Sequence, residues 1–356
     1  MGKTVVVGMS GGVDSSVAAL LLKEQGYDVI GLFMNNWKET DEDGCCTAEE
    51  DYTDVRRVCS AIGIPYYTVD FSKEYFDNVF KFFLSEYEQG RTPNPDVLCN
   101  REIKFGAFRE QAEKIGADYI ATGHYCGILH QNGKTYLTRC ADENKDQTYF
   151  LNQVTEKQIE NTLFPLQDIS DKSFVRKIAA EHGLITATKK DSTGVCFIGE
   201  RNFRKFLSKY IPMKQGEIRT LLGEPVGTHN GVYYYTVGQH KGFGLGGVAG
   251  QKNNEPWYVI RKDVKNNILY VNQGEVPELY TTELVTDKFN FITDTVREGD
   301  VLARIRHRQP LQKAHFTLLD DGRVKVVFEE KQRAVCAGQY CVLYADKVVL
   351  GGGIIQ

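Results

Sequence analysis

Thr4-Val5-Val6-Val7-Gly8-Met9-Ser10-Gly11-Gly12-Val13-Asp14-Ser15-Ser16 begins as a β-branched apolar run, breaks into glycines and hydroxyls, and resumes as a helix. Residues 3–8 read as a short buried strand. Val13, Val17, Leu20 and Leu21 fall at helical spacing through residue 25, and Gly26 ends that helix. Between them, Gly8, Gly11 and Gly12 let backbone N–H groups converge, and the helix N-terminus adds about half a positive charge. Ser10 and Ser15 add hydroxyl donors, so an oligophosphate or pyrophosphate fits the turn. No Lys follows the last glycine, so this is not a Walker A loop.

Working outward, strands are expected at 27–34, 65–69 and 118–122. Helices are expected at 47–62 (Thr47 and Glu50 forming a capping box), 72–88 and 103–115. Short strands separated by helices require parallel pairing, hence a doubly wound α/β sheet with ligands at the carboxyl ends of its strands. Helical stretches follow at 156–161, 170–182 and 202–210. From Gly216 the texture turns to β, with strands expected at 233–237, 257–261 and 268–271 and a turn at Asn266-Asn267. Beyond Glu278 it is purely β, with strands at 301–306, 315–319, 324–329, 341–344 and 348–354 and a tight turn at Asp321-Gly322. The expected units are an α/β domain at 1–210, a small β-rich domain at 211–275 and a C-terminal β-barrel at 276–356.

Hydrophobic residues make up 42% of the 356 and charged residues 25%, which excludes a disordered or collagen-like chain. No apolar run approaches the roughly 18 residues of a membrane span, and Met1-Gly2-Lys3 leads into a strand rather than a signal peptide. With 43 basic against 47 acidic residues, a globally basic nucleic-acid binder is excluded, but a local basic face is not. Nine cysteines without a secreted-type framework point to a reducing cytoplasm. Gly242-Phe243-Gly244-Leu245-Gly246-Gly247 matches a dinucleotide fingerprint, but no βαβ unit surrounds it, so it reads as a loop with Gln239, His240 and Lys241 near a substrate.

Two cysteines stand in suggestive surroundings. Pro93-Asn94-Pro95-Asp96-Val97-Leu98-Cys99-Asn100 precedes the helix expected from residue 103, and one turn over 96–99 would set carboxylate and thiol on one face. A helix N-terminus beside Cys99 would lower its thiol pKa. Cys196 lies in Asp191-Ser192-Thr193-Gly194-Val195-Cys196-Phe197-Ile198-Gly199-Glu200-Arg201, again ahead of a helix. Cys59, Cys126, Cys140, Cys336 and Cys341 read as core positions, and Cys45-Cys46 lacks the spacing of a zinc site.

The S-G-G-x-D-S signature resembles the pyrophosphatase-loop (PP-loop) enzymes, which cleave ATP between the α and β phosphates and adenylate a substrate oxygen. That resemblance implies that Gly8, Met9, Ser10, Gly11, Gly12, Val13, Asp14 and Ser15 hold ATP, with Mg2+ accompanying it, and that Met34 and Gly123 line the adenine pocket. Taken with Asn94-Pro95-Asp96, Cys99-Asn100, Lys145-Asp146-Gln147 and the segment 191–201, in that order, the chain resembles the bacterial tRNA-specific 2-thiouridylases along essentially its whole length. The resemblance implies 2-thiolation of the wobble uridine, position 34, of the tRNAs for Lys, Glu and Gln. ATP would adenylate uracil O2. Cys196, loaded as a persulfide by a sulfur-relay donor protein, would deliver sulfur to C2 directly or after release as hydrosulfide. Cys99 would resolve the persulfide by forming a disulfide with Cys196, and Asp96 would transfer a proton.

The same resemblance assigns tRNA contacts to Asn94, Pro95, Asp96, His124, Lys145, Asp146, Gln147, Arg306, His307 and Gln339. Arg304, Arg306 and Arg308 alternate, and on one strand they would make a phosphate track that Arg201, Arg204, Lys205 and Lys209 extend. Two alternatives stay open. An iron–sulfur cluster on Asp96, Cys99 and Cys196 could deliver sulfide, or the chain could be a different adenylating ligase that uses ammonia or an amino group.

Overall fold

The computed structural model describes residues 2–37, 47–191, 203–242, 244–245 and 255–356. Strand β1 (Thr4–Met9) is the centre of the first domain, with Val5, Val6 and Val7 fully buried. It runs through the glycine loop into α1 (Val13–Glu24), followed by β2 (Asp28–Asn35), α2 (Thr47–Ile62) and β3 (Tyr66–Asp70). Gly26 and Gly63 take φ of +86° and +71°, the left-handed residues that close α1 and α2.

Helix α3 runs through Ser72–Tyr75, Phe76–Phe80 and Lys81–Glu88. Helix α4 runs through Pro95–Leu98, Cys99–Ala107 and Phe108–Lys114. The middle stretch of each is wound as π helix. In α4 the Gln158 amide donates to the carbonyls of Arg101 (2.9 Å) and Phe105 (3.1 Å), outside bonds that help to hold this winding. Then come β4 (Tyr119–Ala121), a hairpin of β5 (Cys126–Gln131) and β6 (Lys134–Arg139), β7 (Thr162–Leu163) and α5 (Lys172–Glu181). Among the described residues the parallel sheet has the order β3-β2-β1-β4-β7. The winding reverses between β1 and β4, so a crevice opens at the carboxyl ends of those two strands.

After α6 (Phe203–Leu207) come β8 (Gly216–Thr220), β9 (Pro225–His229), β10 (Trp257–Asp263) and β11 (Ile268–Gln273), in the order β10-β11-β8-β9. Residues 233–237 were expected as a strand. They begin instead in the 3-10 turn Val232–Tyr234, where the Tyr234 hydroxyl donates to the Ile211 carbonyl at 2.6 Å and turns the ring inward. The last domain comprises β12 (Tyr280–Lys288), β13 (Asn290–Phe291), β14 (Glu298–Arg304), β15 (Gln312–Leu318), β16 (Arg323–Arg333), β17 (Tyr340–Ala345) and β18 (Val348–Ile354). Asn267 (φ +54°) and Gly322 (φ +87°) sit at the expected turns. No helix among the described residues is long and apolar enough to cross a membrane.

The hairpin β5–β6 leaves its own domain. The barrel sheet has the order β12-β16-β15-β14-β17-β18-β6-β5, with Thr138 opposite Val348 and the Arg139 N–H donating to the Lys347 carbonyl at 2.9 Å. A division of the chain at residue 210 therefore leaves two strands of the first unit inside the last unit's sheet.

A buried ion cluster fixes this seam. Asp146, with no exposed side-chain surface, accepts from Arg139 Nε and Arg304 Nη1 at 3.2 Å each, and its other oxygen accepts from the Thr148 hydroxyl at 2.7 Å. Removing one partner of such a cluster strands the others in a low dielectric. Asp146→Ala is expected to lower unfolding free energy by roughly 3–5 kcal/mol in urea titrations, whereas a loss below about 1 kcal/mol would mean that water reaches the arginines.

Candidate active site

The glycine loop closes on itself through its hydroxyls. Ser15 Oγ accepts from the Ser10 N–H (3.2 Å), donates to the Gly12 carbonyl (3.2 Å) and lies 3.1 Å from Ser10 Oγ. Gly11 needs φ of +74°, and a Cβ there would fall 2.7 Å from the Asp51 carbonyl oxygen. No side chain caps α1, so its first-turn N–H groups have no capping side chain to bond. Gly8 packs under Met34, with its built Cβ position 3.3 Å from Met34 Cε, and Gly123 packs on the backbone of Asp14 and Ser15. The loop residues, Met34 and Gly123 thus come together at the switch between β1 and β4.

Cations crowd the same place: Lys172 and Arg176, which no motif marks, and Lys145, from the triplet that the resemblance assigns to tRNA. Lys172 Nζ lies 2.8 Å from Asp14 Oδ2 and 2.7 Å from Asp191 Oδ1. Arg176 Nη2 reaches Asp191 Oδ1 at 2.8 Å, and Lys145 Nζ reaches Asp191 Oδ2 at 3.4 Å. Burial pushes the Asp191 carboxyl up, but the Lys172 and Lys145 bonds and charges outweigh it and hold the group below the usual carboxylate range. The Tyr125 hydroxyl donates to Asp14 Oδ1 at 2.9 Å. Lys172 opens α5 and follows the capping residue Asp171, a position with no sequence signature for phosphate binding.

Cys99 does not lie in a loop ahead of a helix. Pro95 opens α4 after the extended residue Asn94, so Asp96 is in the first helical turn and Cys99 begins the π stretch. Asp96 and Cys99 are one turn apart, as expected, but Cys99 is fully buried in the main apolar cluster. Cys196 falls outside the described residues, as do Cys45, Cys46 and Arg201. The distance between the two thiols, and the third ligand of the alternative cluster, are therefore not placed.

On the far side of α4 the barrel approaches. The Asn100 amide donates to the Phe150 carbonyl (3.0 Å), and His307 lies against the Phe150 ring with centroids 4.4 Å apart and the planes tilted by 39°. Gln339 Nε2 donates to the Thr92 carbonyl (2.7 Å), and the Thr92 N–H donates to the Ala337 carbonyl (2.8 Å). This brings Gln339 against the segment that leads to Asn94, Pro95 and Asp96, with His307 on Phe150 beside it. A cleft of about 310 Å³ opens where the three domains meet, lined by Thr92, Thr236, Gln239, Arg306, Arg333 and Gln339.

Lys145 and Gln147 are half-buried, and Gln147 Oε1 accepts from the Tyr125 N–H at 3.0 Å. Asp146 is 2% exposed and wholly engaged internally, so its carboxylate has nothing left for RNA. The three-arginine track also changes. β14 ends at Arg304, which is 5% exposed, pairs with Asp146 and lies over the Tyr344 ring. Arg306 donates to the carbonyls of Arg333 and Ala334, and only Arg308 of the three is exposed. Alternation predicts a shared face only while the strand continues, and here it stops.

His124 is 9% exposed, between Lys104 Nζ (3.3 Å from Nε2) and Thr122 Oγ1 (2.8 Å from Nδ1). An ammonium only donates, so Nε2 accepts and Nδ1–H donates to Thr122. Burial, then the Lys104 charge, keeps the imidazole neutral, well below its ordinary range. Burial, then Arg304 and Arg308, pulls His307 down to about 4, and burial also lowers His229. These groups titrate lower folded than unfolded, so as pH falls below 6.5 the unfolded chain takes up protons first. Their contribution to stability is complete above that pH and is lost as pH falls toward the folded values; exposed His182, raised chiefly by its bond to the Ile178 carbonyl, runs the other way. The urea midpoint is expected to be lower at about pH 5 than at about pH 7.5; a midpoint that rises on acidification would contradict this.

Comparison with known proteins places the arrangement. Residues 3–200 match a family described as tRNA methyl transferase HUP domain, residues 204–273 a tRNA methyl transferase PRC-barrel domain, and residues 281–355 an aminomethyltransferase beta-barrel domain. The tRNA-specific 2-thiouridylase MnmA of Bacillus subtilis (strain 168) is 54% identical over 99% of this chain and 94% of its own length. Its namesake in Geobacillus thermodenitrificans is 56% identical over 99% and 94%. That of Alkaliphilus oremlandii is 53% identical over 99% and 96%. The domain descriptions speak of methyl transfer, whereas these full-length relatives are thiouridylases. With identity above half along nearly all of its length, the chain belongs to the tRNA-specific 2-thiouridylase family.

Proposed function

We propose that this protein is an ATP-dependent tRNA-uridine 2-sulfurtransferase acting on the wobble uridine, position 34, of tRNA Lys, Glu and Gln in the cytoplasm. The observation that carries the reading is that α4, with Asp96 and Cys99, brings Phe108 to 3.6 Å from the Cβ position built on Gly8 of the glycine loop, while its Asn100 binds Phe150, the ring that His307 lies against, and Gln339 binds Thr92 just ahead of the helix. Nucleotide chemistry and RNA recognition thus converge on one helix.

ATP, with its Mg2+, occupies the glycine loop. The target nucleotide is splayed out of its stack into the space beside Asn94, Pro95 and Asp96. Asp96 takes the N3 proton, uracil O2 attacks the α-phosphorus, and pyrophosphate leaves. The outer sulfur of a Cys196 persulfide then adds to C2, the C2–O2 bond breaks and AMP departs. Cys99 thiolate attacks the Cys196 sulfur, breaking the S–S bond. The electron pair stays on the outer sulfur as the thiocarbonyl, and a Cys99–Cys196 disulfide remains. A donor protein supplies the persulfide, and cytoplasmic reductant restores the thiols. Residues 1–210 do the chemistry, 276–356 hold the RNA, and 211–275 join them.

Nucleoside mass spectrometry of tRNA from a strain lacking the gene tests this. The expected result is loss of 2-thiouridine at position 34, restored by the intact gene. An unchanged level would defeat the proposal.

A further inference from the structure

We infer that Lys172, Arg176 and Lys145 grip the phosphates that leave as pyrophosphate, and that the Asp191 carboxylate competes with those phosphates for the grip. The inference rests on the proposed use of ATP and adds a site and a competitor to it.

Three cations converge on one carboxylate beside the glycine loop: Lys172 at 2.7 Å, Arg176 at 2.8 Å and Lys145 at 3.4 Å from Asp191 oxygens. Lys172 also reaches Asp14, the second residue of α1, so the cluster borders that helix's uncapped first turn. A set of cations converging on an acidic oxygen next to a helix N-terminus is the donor set of an oligophosphate.

Lys172 and Arg176 do not depend on Asp191 for their positions. Lys172 is 11% exposed, bonded to Asp14 and laid over the Tyr125 ring at 5.7 Å. Arg176 Nη1 donates to the carbonyls of Ala187 and Lys189 at 2.8 Å each. The Asp191 side chain, by contrast, is 34% exposed. Removing its charge leaves Lys172 paired with Asp14 and takes the carboxylate partner from Arg176 and Lys145, which favours a polyanion. A ligand that binds only when an internal anion has stepped aside has its affinity reduced by the fraction of molecules in which the site is open. Neutralising the competitor therefore tightens the ligand.

Calorimetric titration of the full-length protein with Mg-ATP, inorganic pyrophosphate and AMP tests this. Asp191→Asn is expected to bind ATP and pyrophosphate about tenfold tighter and AMP unchanged. Lys172→Met is expected to bind ATP and pyrophosphate about tenfold weaker, again with AMP unchanged. A purely structural ion pair would leave the ATP-to-AMP ratio where it is in the parent protein. Asp191→Asn that folds but binds ATP no tighter overturns the competitor. Lys172→Met that keeps full pyrophosphate affinity, which is measurable even if the Asp191 variant does not fold, overturns the grip. Parent protein that binds neither ATP nor pyrophosphate would instead overturn the proposed function on which the inference rests.

Discussion

Cys99→Ser is expected to release AMP once per bound tRNA and to form 2-thiouridine about 1,000-fold more slowly or not at all. The hydroxyl cannot attack sulfur, so the uracil stays joined to the persulfide through its outer atom. Cys99 is fully buried at the π stretch of α4, and Ser is nearly isosteric, so the variant should fold, with a modest cost for a buried hydroxyl. Cys196→Ser should instead fail before sulfur addition, because no persulfide can be loaded. The measurement is quenched-flow AMP release beside nucleoside analysis. Multiple turnovers in both variants would favour the rival adenylating ligase, which needs neither thiol.

Gly123→Ala should be nearly as damaging by a different route. Its Cβ would sit 2.7 Å from both the Asp14 carbonyl carbon and the Ser15 nitrogen, which are backbone atoms with no side chain to turn aside. Either the loop after β4 or the first turn of α1 must shift, and N–H groups aimed at phosphate lose their aim. A displacement of about an ångström at a reacting group costs on the order of 100-fold. AMP formation should fall by about that factor, while unfolding free energy drops by about 1–3 kcal/mol. Near-normal AMP formation would show that the contact between Gly123 and α1 is not what positions the loop.

How much of this could be read from the residues depended on whether a signal was local. The β1–loop–α1 unit was legible because an apolar run, a glycine cluster and a helical period adjoin one another, and those three features also place the nucleotide crevice. The hairpin β5–β6 was missed although Asn132-Gly133, with φ of +52° and +74°, is a strong two-residue turn signal. Its pairing with β18 is non-local and leaves no mark in either segment. Cys99 was set ahead of its helix because Pro95 reads equally as a stiff approach or as a first helical residue, and π winding has no composition of its own. Lys172 and Arg176 carry only the sign of their charge, and what makes them a site is the fold that returns α5 to α1. The supposed arginine track failed for the converse reason, since a local alternation outlived the strand that gave it meaning.

The central claim is that sulfur carried on Cys196 reaches the uracil with Cys99 taking its place. Single-turnover nucleoside mass spectrometry on protein loaded anaerobically with heavy-isotope persulfide, then given ATP and unmodified tRNA, tests this most directly. The account predicts heavy sulfur in 2-thiouridine and a Cys99–Cys196 disulfide in the digested protein at matching stoichiometry. Thiouridine carrying only light sulfur, or formed while both cysteines remain reduced, would contradict it.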